Sequence, residues 1–236
     1  MGNRSVGRVG AATGLVFAVL SLLAGFIYPQ QPRIDSPAAT TLAWVKDNRV
    51  SLQAGMILGL FAAGALLWFV GYLRTAFKTG EHGTDSFAPV VFGAGIAAAV
   101  IAALAAVPIA LLAFMVAQPG GFSDASIVRM LGDLNLVLFA ASSVVTAVFL
   151  LALGLSILRG HLPTPTWLGW LSIVVAALNA VTVWIAMTFS TYHGKGWNVV
   201  AFGAFIGFLL VVLITSISLM RQPSTGSTPI PTTAAQ

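Results

Sequence analysis

The chain has 236 residues, of which 58% are hydrophobic and 7% charged, with a net charge of +5 and no cysteine. An ordinary soluble domain carries about 25% charged residues, so this composition excludes a water-exposed globular surface. The missing cysteines exclude disulfides, thiolate catalysis and cysteine-ligated metals, and the eleven Lys and Arg are scattered over the connections instead of forming the stripe that nucleic acid requires.

Six long runs carry almost no charge: residues 9–28, 50–73, 87–117, 131–158, 166–188 and 197–220, with Asp133 the one ionised side chain among them. Crossing a hydrocarbon core of roughly 30 Å takes about 20 residues, and every run is long enough. The expected fold is all-α, a transmembrane bundle of six helices filling residues 1–220. The stretch 221–236, rich in Pro, Ser and Thr, reads as a disordered tail.

The first run follows Arg4 and Arg8 in the manner of a secretory signal, but Gly25-Phe26-Ile27-Tyr28 is no small-residue cleavage site, so it is read as a retained helix. In the connection from Pro29 to Arg49, Ser36-Pro37 reads as an N-cap with proline in the first helical position. A short surface helix follows, with Leu42 and Val45 turned toward the bundle or lipid. The third run should open with Ser86 as cap and Pro89 in its first turn, and Pro108 should kink it near its outer end. Gly120-Gly121 breaks the chain, after which Ser123 or Asp124 can cap a short segment leading into the fourth run.

Spans two, four and six end in Tyr72-Leu73-Arg74, Ile157-Leu158-Arg159 and Leu219-Met220-Arg221, each placing a cation where the macrodipole of a helix C-terminus favours it. The chain thus reads as three hairpins returning to one basic face, N-in and C-in. Counting Lys and Arg agrees by six to five, with Arg4, Arg8, Arg74, Lys78, Arg159 and Arg221 inside. Trp167, Trp170 and Tyr72 are expected at the inner interface, and Tyr28, Trp44, Tyr192 and Trp197 at the outer one. Trp68 and Trp184 fall deeper and are expected to pack. Gly10/Gly14, Gly55/Gly59 and Gly203/Gly207 have the spacing that brings membrane helices close, and Gly95/Ala99/Ala103 make a similar strip; all are read as packing within the fold.

Few residues can carry chemistry. Asp133 stands 25 residues before Leu158, about 37 Å along a helix, which puts it at the outer interface within reach of Arg129, four residues earlier. A surface ion pair is the plainer reading, and a proton or cation site the sharper one. Asn179 is the deepest strongly polar side chain, about 20 Å from the inner end of span five, and Thr146, Ser143 and Ser21 fall at about 18 to 22 Å in theirs. This midplane layer is either polar glue, with Asn179 bonded across to Ser143 or Thr146, or the floor of a small pocket that Asn179 and Thr182 face. His82 and His161 are expected inside and His193 outside, and no HExxH or paired-His spacing exists. Glu81, His82 and Asp85 fall in a glycine-containing turn. His193 and Lys195 in the last outer loop, with Arg129 and Asp133, are the remaining outer-interface charges. Neither a catalytic set, a metal site nor a cofactor motif is expected.

The run Leu162-Pro163-Thr164-Pro165-Thr166-Trp167-Leu168-Gly169-Trp170 resembles the LPxWLGW connection between spans four and five of uncharacterised six-span membrane proteins common in actinobacteria. The outer Trp44-Val45-Lys46-Asp47-Asn48-Arg49 resembles the same family. The resemblance implies a helical bundle in the bacterial cytoplasmic membrane and carries over no catalytic residue.

Three classes of function follow. The first is a non-enzymatic binding, sensing or accessory membrane protein whose partners are lipids, another membrane protein or a small lipophilic ligand. A transporter or channel for a small, weakly polar or lipidic molecule is second; it requires a cavity reaching Asn179. A lipid-modifying enzyme is third, and requires His193, Lys195 and Asp133 to converge in one outer cleft. Ion-coupled transport is disfavoured by the lack of any midplane ionisable side chain.

Overall fold

The computed structural model describes residues 3–30, 32, 36–80, 87–118, 124–188 and 195–221. Among them it is all-helical, with α1 (Asn3–Ile27), α2 (Ala38–Asp47), α3 (Arg49–Gly80), α4 (Ala88–Met115), α5 (Ala125–Leu158), α6 (Thr166–Thr188) and α7 (Lys195–Met220). Every helix but α2 is long and apolar enough to cross a membrane, and the chain is an integral membrane protein. Hydrocarbon offers no partner to a bare N–H or carbonyl, and helices satisfy both within the segment.

The six long helices form a ring in chain order. Each packs on its sequence neighbour, α1 on α3, then α3 on α4, α4 on α5, α5 on α6 and α6 on α7, and α7 returns to α1. The start of α1 and the end of α7 share one face, here the terminal face. On the opposite face α2 lies across the ends of α5, α3 and α4.

Two separate apolar clusters fill the ring. In the half nearer the terminal face, Phe17 of α1 and Phe149 of α5 both reach Phe208 of α7, with centroids 5.5 and 6.1 Å apart. Phe69 and Val70 of α3 join them, fully buried. Because lipid tails are as apolar as phenylalanine, this core holds through close contact more than through exclusion of water. Near the opposite face Val45 of α2 packs on Leu52, Ile109, Leu112, Ala113 and Val128. The short helix therefore caps the bundle with the Val45 side expected of it, Thr41 buried beside it and Leu42 half-buried.

Close crossings are made by glycine. A Cβ on Gly154 of α5 would stand 2.7 Å from the Gly169 carbonyl oxygen of α6, and one on Gly169 would stand 3.0 Å from the Gly154 oxygen. Here two backbones touch. The turn between them is a Schellman motif: Gly160 adopts φ +77°, the Gly160 N–H reaches the Ile157 carbonyl and the His161 N–H the Ser156 carbonyl. In the LPxWLGW segment Leu162 and Leu168 are buried, Gly169 makes the crossing, and Trp167 and Trp170 are exposed at the terminal face. Gly10 and Gly14 of α1 face Tyr72 and Phe69 of α3, and the Ser216 hydroxyl of α7 donates to the Ala11 carbonyl, closing the ring.

Several boundaries differ from the sequence reading. Helix α3 runs past Arg74 to Gly80, so Arg74 stacks on Phe92 of α4, 4.8 Å from its ring centre, instead of ending a helix. Arg159 does cap α5, and it lies 4.7 Å over Phe87. No separate segment precedes span four: α5 is continuous from Ala125, capped by Asp124, whose side chain accepts from the Ser126 N–H at 2.9 Å. Pro37 holds the N-cap position of α2, so the helix begins one residue after the expected Pro. Pro89 sits in the first turn of α4 as expected, with Phe87 at the cap; Ser86 and Ser123 lie outside the described residues, as does 222–236 of the tail. Gly59 and Gly203 face open space, so only one glycine of each pair, Gly55 on Tyr28 and Gly207 on Val175, makes a contact. Trp68 and Trp184 do not pack inside; they are 65% and 61% exposed on the lipid side.

The Gly154 contact is with backbone, which cannot yield. Gly154→Ala should destabilise the bundle by about 1 to 3 kcal/mol. Gly59→Ala, with space for its methyl, should leave stability unchanged or raise it by up to about 1 kcal/mol. Reversible unfolding of both variants in mixed detergent micelles measures the difference.

Candidate functional site

Buried polar side chains inside a membrane protein are the places to search for chemistry, since each must be satisfied or used. In this bundle most of them turn back on their own helix. Asn179 is buried, and its Nδ2 donates to the Val175 carbonyl at 2.9 Å. Thr182 donates to Leu178 and Thr146 to Ser142, at 2.9 and 2.8 Å. Ser143 is half-buried and its hydroxyl reaches Phe139 at 3.5 Å, while Ser21 is buried. Thr215, Ser156 and Ser172 make the same backward bond, four residues up their own helices. The Asn179 donor is thus met without the expected bond across to Ser143 or Thr146. Such bonds duplicate an acceptor already used by the helix and need no partner helix.

Asn135 behaves differently. It is buried on α5, and its Nδ2 donates to the Ala105 carbonyl of α4 at 2.6 Å. Pro108 has no N–H for the Leu104 carbonyl four residues back, and a proline ring crowds that carbonyl. Asn135 brings a donor from the next helix to the neighbouring carbonyl, pinning α4 to α5 at its weakest turn. In the sequence alone the charge of Asp133, two residues earlier, is the stronger signal. The signal was a proline in one span and an amide in its neighbour, which only pair once the helix register is known.

The outer-interface charges are less concentrated. Arg129 and Asp133 form an i, i+4 ion pair at 3.9 Å with both side chains exposed. His193 and the Lys195 side chain lie outside the described residues, as do Glu81, His82, Asp85, Tyr192 and the Trp197 side chain. Among the described residues no group of three or more His, Asp or Glu stands close enough to hold a metal. His161 is half-buried in the turn before α6, away from the midplane layer. Tyr28 and Trp44 of α2 meet edge-on at 6.4 Å, and among the described residues Tyr28 Oη and Trp44 Nε1 are buried without a hydrogen-bond partner.

A groove of about 340 Å³ lies on the lipid side between α3 and α4, lined by Met56 and Leu60 on one wall and by Val107, Ala110, Leu111 and Phe114 on the other. It lies away from the Asn179 layer and contains no ionisable side chain. No protein-family profile, curated protein or solved structure matches the chain.

Asn135→Leu should cost about 0.6 to 1.7 kcal/mol, the range of interhelical hydrogen bonds in membranes, whereas Asn179→Leu should cost less because its bond is internal to α6. Parallel unfolding of the two variants in mixed micelles reads the order directly.

Proposed function

We propose that the chain is a non-enzymatic accessory protein of the bacterial cytoplasmic membrane, acting through lateral contact with another membrane protein. One lipid-facing stripe of α3 carries this reading. Phe61 and Trp68 are 68% and 65% exposed, and Gly64 and Gly71 alternate with them, with nothing within 4 Å of the Cβ each lacks. Residues 61, 64, 68 and 71 fall on one face at helical spacing. Small residues let a second helix approach closely, and the large rings beside them offer contact area that lipid chains match poorly. Trp favours the headgroup level, yet Trp68 lies about 14 Å inside the end of the α3 span at Phe77.

The packing of aromatic rings from three helices weighs in the same direction. A conduit needs space along the axis, whereas Phe17, Phe149 and Phe208 meet there and Asn179, Thr182 and Thr146 are buried. The likeness of Leu162 to Trp170 to the actinobacterial six-span family fits a bacterial cytoplasmic membrane as the site of action.

The test is a photocrosslinking amino acid at position 68 in cells of the native host. It should yield one discrete, larger adduct, which Gly64→Leu should reduce at least about tenfold without lowering bundle stability, since Gly64 touches no neighbour. The same probe at exposed Val174 of α6 is the control. A ladder of lipid-only adducts at position 68, or equal adducts at both positions, would remove the accessory reading.

A further inference from the structure

We propose that the groove between α3 and α4 holds the acyl chain of an anionic phospholipid, with Arg49 receiving its phosphate. The proposal is independent of the protein partner that α3 would meet on its Phe61 and Trp68 stripe.

The groove is apolar along its whole length and opens to lipid, in the half of the membrane nearer α2. Its volume of about 340 Å³ falls at the lower end of the range that encloses small ligands. What distinguishes it from an ordinary seam is the change in chemistry along its walls. On α3, Arg49, Gln53, Met56 and Leu60 follow at spacings of four, three and four, so they line one face. Met56 and Leu60 form the groove wall; Gln53 and Arg49 continue the same stripe one and two turns nearer the membrane surface. On α4 the stripe is Val107, Leu111 and Phe114, and Gln118 is exposed in the turn just beyond the helix. On α3, an amide and a guanidinium therefore stand above a slot of methyl and methylene groups.

Charge favours an anion at that level. Arg49 is exposed and forms no ion pair among the described residues. The nearest charges in sequence are Lys46 and Asp47 on α2, which offset one another. Arg49 starts about 10 Å above Met56 along the helix axis, matching the separation between a phosphate at the interface and the first apolar stretch of its chains. The guanidinium can bind a phosphate through two parallel N–H donors, and Gln53 and Gln118 can donate to ester or glycerol oxygens. At the far end the groove reaches Val107 and Ala110, which flank Pro108, where the helix lacks one backbone hydrogen bond.

The experiment uses the full chain in nanodiscs of phosphatidylcholine and phosphatidylglycerol in equal amounts, released into native mass spectrometry, with retained lipids counted. Wild type should keep phosphatidylglycerol over phosphatidylcholine by about fivefold, the preference that one cation near a membrane surface supplies. Arg49→Gln should bring that ratio to about one, while Arg129→Gln, an exposed arginine on α5 away from the groove, should leave it intact. Ala110→Phe should fill the slot and lower retention of both lipids; if it fails to assemble, Leu60→Trp narrows the slot from the other wall and serves the same purpose. Added inorganic phosphate should not displace the lipid, because the chain supplies most of the contact. Equal retention in wild type, an equal loss with Arg129→Gln, unchanged retention in the groove-filling variant, or displacement by inorganic phosphate would each overturn the proposal.

Discussion

Helices in a bilayer have no water to escape, so nothing pushes them together except the quality of their contact. The crossing of α5 and α6 shows how far this chain carries that rule: at Gly154 and Gly169 the two backbones touch, with no room for a single methyl. The same logic recurs where Gly10 and Gly14 receive the rings of α3 and where Gly207 receives Val175. Large and small residues face one another around the ring, and phenylalanines from three helices fill the middle. A bundle assembled this way is solid along its axis in the half nearer the terminal face.

Polar groups follow a second rule. Hydroxyls and amides inside the ring mostly return a hydrogen bond to the helix that bears them, which makes them harmless in lipid before the helices ever meet. The exceptions tie the structure. Asn135 reaches α4 beside Pro108, and Ser216 reaches α1 from α7, joining the last helix to the first. Both bonds connect elements that the chain alone does not hold in register.

The two surfaces proposed for binding both lie on the lipid side of the bundle. One face of α3 offers rings and open glycines, while its neighbouring face forms an apolar slot with α4. Arg74 and Arg159 stack over Phe92 and Phe87 at the other end of α4. Such contacts desolvate part of a guanidinium on a ring while leaving its edge for lipid phosphates and water.

Sequence by itself determined the solvent, the helices and the number of crossings, because a run of about 20 uncharged apolar residues has one stable form in a bilayer. It also placed the short helix before α3, with Val45 on its apolar side, and the ion pair of Arg129 with Asp133. What it could not assign was which side of each helix faces protein. A soluble helix announces its buried side by polar residues on the other, but α4 is apolar all round, and its inward and lipid-facing residues are chemically alike. For that reason Trp68 and Trp184, deep enough to pack, are exposed to lipid, Gly59 and Gly203 meet no neighbour despite their GxxxG spacing, and nothing in the sequence sets Asn135 apart from Asp133. Only tertiary structure decided these, since the partner of each residue lies on another helix, at a register fixed by shape and not by polarity.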